Sequence, residues 1–217
     1  MKRITSFLFL SLIIVLAACN KDEINNTDTR VGISRVTSFP VLSLNGARYM
    51  AIVQGGTFTD PGITATVGGS TVAYTTTGSV NTAVKGVYNI TYTAMNADGF
   101  SASLTRTVVV YSTDASAAGN DLSGTYLRAA TGASAVWTKI APGVYTILNP
   151  GGAAGNSLVV IGINPTGYTI DIPLQTLGDG SSFNSTDEVY TPGSPASYVY
   201  KLVNPGYGTA LRSFVKQ

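Results

Sequence analysis

Val87-Tyr-Asn-Ile-Thr-Tyr-Thr-Ala94 sorts its side chains onto two faces. Val87, Asn89, Thr91 and Thr93 fall on one, and Tyr88, Ile90, Tyr92 and Ala94 on the other. That period of two is the mark of a β-strand with one face in a core. Asn96-Ala-Asp-Gly99 follows, with a glycine placed where a tight turn needs positive φ. Ser101–Tyr111 then returns, ending in Thr-Val-Val-Val-Tyr. The segment therefore predicts an antiparallel hairpin. Working upstream, short strands are predicted at Phe39–Leu44, Met50–Val53, Ile63–Val67 and Thr71–Thr76. Gly55-Gly56, Pro61-Gly62, Gly68-Gly69 and Lys85-Gly86 separate them. Several strands at such spacing, with turn signals between them, predict a β-sandwich over residues 39–112.

Working downstream, residues 113–120 are small and polar and read as a linker. Residues 121–217 continue in the same texture. Strands are predicted at Ala135–Ile140, Gly143–Leu148, Leu158–Ile163, Tyr168–Pro173, Ser197–Val203 and Thr209–Val215, after an opening Gly124-Thr-Tyr-Leu-Arg128. Closely spaced strands default to meander connections. The fold class is thus all-β: an Ig-like β-sandwich, then a second small antiparallel sheet or barrel-like domain of about six to eight strands. Composition agrees, because Thr, Val, Tyr, Ile and Ser are abundant while charged residues make up only 11%.

Four motifs in order carry a resemblance. Gly56-Thr-Phe-Thr-Asp60-Pro-Gly-Ile-Thr-Ala65, Lys85-Gly-Val-Tyr-Asn-Ile-Thr-Tyr92, Asn96-Ala-Asp-Gly99 and Arg106-Thr-Val-Val-Val110 resemble the bacterial Ig-like domain of many surface proteins, also found in some insecticidal crystal toxins. The family's turn departs slightly here, as Asn96-Ala-Asp98-Gly99. The resemblance implies a spacer or accessory module with no catalytic residues. Gly124-Thr-Tyr126-Leu-Arg128 and Lys139-Ile-Ala-Pro-Gly143-Val-Tyr145-Thr-Ile147 resemble the C-terminal domain of small Bacteroidetes lipoproteins, mostly of unassigned function, that pair it with an Ig-like domain.

The N-terminus speaks to location. Met1–Arg3 is basic, and the apolar run Ile4–Leu16 is shorter than the ~20 residues that span a bilayer, as in a signal peptide. It ends in Leu16-Ala-Ala-Cys19, which resembles a lipobox, and Cys19 is the chain's one cysteine. Residues 1–18 are thus expected to be a leader, with the Cys19 thiol carrying acyl chains that hold the protein in a membrane. Lys21-Asp22-Glu23 resembles the surface-export signal of Bacteroidetes lipoproteins, and residues 19–38 read as a polar tether. The expected location is the outer membrane, exposed at the cell surface.

Chemistry is constrained as much by absence. With no His and one committed Cys, a Ser or Cys nucleophile lacks its usual base, and a His/Cys zinc site is excluded. No catalytic residue, metal or cofactor is assigned. Asp179, Asp187 and Glu188 are the acids one would ask of calcium, but no Asp-x-Asp-x-Asp loop holds them. Setting aside Lys2 and Arg3 leaves 11 basic and 11 acidic residues, so nucleic acid is not an expected partner. Two readings remain. One is a polysaccharide ligand, held by aromatic faces from Trp137, Tyr190, Tyr198, Tyr200 and Tyr207, with Asn156, Asn184 and Asp187 as polar neighbours. The other is a structural or adhesive role with a protein partner, such as an outer-membrane protein. Trp137 reads as core or platform, and Tyr198 and Tyr200, on one strand face, share whichever fate applies.

Overall fold

A computed structural model describes residues 30–31 and 34–217, with side chains from residue 36 onward. The expected leader at residues 1–18, Cys19 and Lys21-Asp22-Glu23 lie outside the described residues, as does most of the 19–38 stretch. The chain divides into two units, Met1–Ser38 and Phe39–Gln217. In the first, β1 (Arg30–Val31) pairs antiparallel with β2 (Ser34–Arg35).

The second unit opens with two sheets face to face. β3 (Pro40–Leu44), β5 (Ile63–Val67) and β6 (Ser70–Thr71) form one, in that order. β4 (Tyr49–Val53), β9 (Ser101–Tyr111), β8 (Gly86–Met95) and β7 (Tyr74–Thr77) form the other. β4 runs parallel to β9, and the remaining pairs are antiparallel. Ile63, Ala65, Ile90, Tyr92, Ala94 and Val108 fill the space between the sheets. The predicted face of the quoted strand is therefore the core face, with Tyr88 at its rim. Asn96 ties the hairpin turn by accepting from the amides of Asp98 (3.1 Å) and Phe100 (2.8 Å). The single strand expected at Thr71–Thr76 is corrected. The chain crosses between sheets at Val72-Ala73, so β6 and β7 belong to different layers.

Residues 113–120 contain a one-turn helix, α1 (Ala115–Ala118), capped by the Asp114 carboxylate at the Ala117 amide. The Ser116 hydroxyl accepts from the Gly167 amide (2.8 Å), and the Asp114 amide donates to Pro165 (3.1 Å). The segment is thereby bonded to the loop at 164–167.

Eight strands follow in one sheet: β10 (Gly124–Arg128), β11 (Ala133–Ala141), β12 (Val144–Leu148), β13 (Val159–Ile163), β14 (Gln175–Thr176), β15 (Ser182–Thr191), β16 (Ser197–Val203) and β17 (Leu211–Lys216). Their order is β13-β12-β11-β10-β17-β16-β15-β14, so the first and last long strands pair and the sheet curls toward closure. Backbone bonds between Ile163 and Asp171 (2.8 and 2.9 Å) bring the two edges together. Gln175 then works as a surrogate rung: its side-chain oxygen accepts from the Ile161 amide (2.9 Å) and its nitrogen donates to the Ile161 carbonyl (3.0 Å). The result is a nearly closed barrel. The strand expected at Tyr168–Pro173 is corrected to this one bridge. Asn164 holds the loop before it, donating to the carbonyls of Gly167 (2.8 Å) and Thr169 (2.5 Å). β14 and β15 were not anticipated.

Inside the barrel sit Tyr126, Trp137, Tyr145, Phe183, Tyr198, Tyr200 and Phe214 with Ile147, Val160, Ile172 and Leu202. A third apolar cluster joins barrel to sandwich. Val109 and Tyr111 from β9 meet Val144 and Ile161 from the barrel wall, flanked by Tyr49, Ala51, Val87, Ile140 and Ile163. The Val108-Val109-Val110 run explains itself here: Val108 enters the sandwich and Val109 the junction. A strand buried on both faces loses its alternation.

Candidate functional site

Trp137 is 2% exposed, and its indole N–H donates to the Tyr198 hydroxyl at 3.1 Å. Tyr198 and Tyr200 are equally enclosed, and the Tyr200 hydroxyl donates to the Pro150 carbonyl. Along β16 the residues Tyr198, Tyr200 and Leu202 alternate inward while Val199, Lys201 and Val203 do not. Burial pushes both tyrosine hydroxyls up from their ordinary value. These three aromatics are core, not platform, and their assignment as ligand-binding residues is corrected on that ground.

Tyr207 is half-buried. Its ring meets Phe183 edge-on at 5.3 Å, Arg212 lies over it at 5.5 Å, and its hydroxyl accepts from Asn156 at 2.7 Å. Asn184 donates to the Ser185 carbonyl at 3.1 Å. Asp187 sits at φ 56° in a bulge of β15, 4.0 Å from Lys201. Asp179 closes its own turn by accepting from the amide and hydroxyl of Ser181 (2.9 and 2.7 Å). Among the described residues, no group of three His, Cys, Asp or Glu gathers as metal ligands do.

Tyr190 is the sequence-predicted aromatic that reaches a surface feature. Half-buried, it packs its inner side against the barrel core and stacks on Tyr168, with centroids 5.9 Å apart and planes 15° from parallel. Tyr168 is 54% exposed. It was read only as the start of a strand, so its role was missed; the signal available was its place beside Gly167 in a loop. The two rings come from segments that also carry acids. Asp171 follows Tyr168 at three residues, and Glu188 precedes Tyr190 at two. Glu188 accepts from the Ser185 hydroxyl at 2.5 Å, and the Ser185 amide donates to Ile172 at 3.0 Å, drawing the segments together. Burial, and then the Glu188 carboxylate, raise the Asp171 carboxyl above its ordinary value. A hollow of about 490 Å³ beside Asp171 is lined by Lys85, Tyr88, Pro165 and Leu174. A second, of about 710 Å³, runs between sandwich and barrel past Arg48, Tyr49, Asn89, Thr91 and Thr105. Asn89 crosses it to donate to the Thr176 carbonyl at 2.9 Å.

The sandwich explains the motifs that carried the sequence resemblance. Arg106 is fully buried, its Nε donating to the Tyr92 hydroxyl (3.1 Å) and lying 3.4 Å from the Asp60 carboxylate. The Tyr92 hydroxyl donates to Asp60 at 2.5 Å. The Arg106 fork also reaches the carbonyls of Asn45 (2.8 Å), Gly62 (3.0 Å) and Ala47. One residue from each of three motifs thus meets at a single point. Residues 42–110 match the family described as bacterial surface protein, Ig-like domain. The sandwich matches that Ig-like family across nearly all of its strands, as its motifs implied.

Most of the chain is also similar to solved structures. A lipoprotein of Bacteroides thetaiotaomicron is 26% identical, covering 82% of this chain and 100% of that one with a TM-score of 0.44. The catalytic domain with two CBM51 domains from Clostridium perfringens ZmpB is 15% identical, covering 84% of this chain and 22% of that one with a TM-score of 0.31. No curated protein matches the chain. The fold of the barrel rests on its own hydrogen-bond register.

Proposed function

We propose that the protein is a non-catalytic lipoprotein of the bacterial outer membrane, held by acyl chains on Cys19 and displayed at the cell surface. In this reading the Ig-like domain is a spacer, and the barrel binds an extracellular polysaccharide at Tyr168 and Tyr190. The observation that carries it is the stacked pair, whose outer ring, Tyr168, is 54% exposed. Aromatic faces pack against the C–H surface of a pyranose, and neighbouring carboxylates such as Glu188 and Asp171 accept from its hydroxyls. Lys21-Asp22-Glu23 would direct the anchored protein outward.

Affinity electrophoresis of residues 39–217 in gels of plant, host and microbial polysaccharides tests the ligand. At least one gel should retard the wild type, and Tyr168→Ala should remove the retardation without a change in melting midpoint. Failure of every polysaccharide to retard it would sink the glycan reading. Cys19→Ala tests the anchor, since the variant should leave the membrane fraction. A protein partner is the second reading. It is supported by β7, whose four residues are all exposed at the edge of its sheet, where a foreign strand can add.

A further inference from the structure

At the barrel end opposite Tyr190, two arginines stand close together without a counter-ion. Arg128 is the last residue of β10, and Arg212 lies next to the first residue of β17. Arg212 is only 8% exposed, and Arg128 is half-buried. Neither forms an ion pair with a carboxylate among the described residues. Arg128 donates from Nη1 to the Gly151 carbonyl (3.2 Å), and Arg212 from Nη1 and Nη2 to the carbonyls of Ala210 (3.0 Å) and Tyr207. The Nε atoms of both are buried and unbonded. A guanidinium has five N–H donors in a fixed fork, so neutral carbonyls leave much of each fork unused. The charges feel each other as well: burial, and then Arg128, lower the affinity of Arg212 for its proton.

The surroundings are built to keep this arrangement. A Cβ on Gly151 would strike the Tyr207 ring, and one on Gly152 would come within 2.7 Å of Phe214 and 2.9 Å of the Arg128 side chain. Only glycines let the 150–152 turn press so closely against Arg128. Asn156 holds the Tyr207 hydroxyl, and that ring covers Arg212. Burying one uncompensated charge is costly, and a second charge half-buried beside it adds to that cost. A site that bears that cost in the free protein is one an anion relieves.

We propose that Arg128 and Arg212 form an oxyanion site for the sulfo or carboxylate group of an acidic sugar, with the Tyr207 ring beside the sugar itself. Forked donors match both groups, and the half-buried Arg128 gives the open approach. The site is remote from the Tyr168–Tyr190 pair; the oxyanion site rests on the two arginines alone, and only the sugar that carries the anion rests on the glycan reading.

Thermal melting of residues 39–217 tests it, in sodium sulfate and in sodium glucuronate, each against sodium chloride of equal ionic strength. A bound oxyanion should raise the midpoint with the logarithm of its concentration, by about 5–10 °C at a hundredfold excess over Kd. General exclusion of sulfate from protein surface instead gives a rise linear in concentration, and one that Arg128→Gln retains. Arg128→Gln should keep or raise the midpoint in chloride, since it removes an unpaired charge, and should abolish the logarithmic rise. A logarithmic rise with sulfate alone assigns a sulfo group, with glucuronate alone a carboxylate, and with both either group. No such rise in either salt overturns the proposal, as does an equal rise in Arg128→Gln. A fall of Arg128→Gln in chloride by more than about 5 °C would mark Arg128 as a structural strut and overturn it too.

Discussion

Arg106 shows how much one side chain can organise. It spans from β9 to the turn at Asp60-Pro61-Gly62 and to the loop at Asn45–Ala47, and Tyr92 shares its carboxylate partner. Truncation would take the guanidinium from Asp60 and one donor from each of three carbonyls. Arg106→Ala is expected to cost about 3–5 kcal/mol, the usual loss when one partner of a buried ionic network is removed. Arg106→Lys should recover little, because an ammonium cannot reach the same set of acceptors. Urea denaturation reads both. The residue was in a motif the sequence displayed, yet nothing in the sequence said it was buried, because burial of Arg depends on partners brought from 44 to 61 positions away. Asp171 makes a different prediction. Its carboxyl is raised from the ordinary 3.8 by burial and by Glu188, so the folded state holds its proton more tightly than the unfolded chain does. That contribution is complete below pH 3.8 and is lost as pH rises through the elevated value. Asp171→Asn should therefore melt higher than wild type at pH 7, with the gap closing as pH falls toward 3.8. A gap independent of pH would contradict the assignment.

Among elements, the β8–β9 hairpin was the most legible, because alternation, turn chemistry and return strand agreed over a continuous stretch. β15 was the least. Its sequence Ser-Phe-Asn-Ser-Thr-Asp-Glu-Val-Tyr-Thr is polar, and a bulge between Thr186 and Val189 breaks the register midway. An extra residue shifts the faces, so period-two reading fails where the strand is real. The bulge depends on Asp187 accepting φ 56°, a region that short polar residues tolerate and β-branched ones do not. Asp187→Val should lose about 1–2 kcal/mol, and Asp187→Asn should be nearly neutral; thermal midpoints separate them. The same bulge precedes Tyr190 and sets the ring beside Tyr168, a pairing no spacing in the sequence foretold. Trp137, Tyr198 and Tyr200 were legible as a group with a shared fate, but choosing between interior and surface needed to know that the sheet curls.

For the molecule as a whole, the Val144–Ile161 wall and the Val109–Tyr111 face decide whether the sandwich and barrel behave as one body. They share a buried apolar cluster, and α1 is bonded to the barrel loop, so residues 39–217 should unfold in a single calorimetric transition. Val109→Asp places a charge in that cluster and should split the endotherm into two. A single transition retained in the variant would mean the junction does not couple the halves. The triple valine run signalled burial on both faces; the identity of its second partner was not readable from a local window.

Gln175 has a further consequence. A ring stitched by one backbone bridge and one amide side chain can be loosened by one codon. Replacing it with alanine strips the outer edge of β13 of its cover at Ile161, exposing main-chain groups that will accept any passing strand. The barrel would then trade a private seam for a shared one, and concentrated solutions of Gln175→Ala should scatter light as chains join edge to edge.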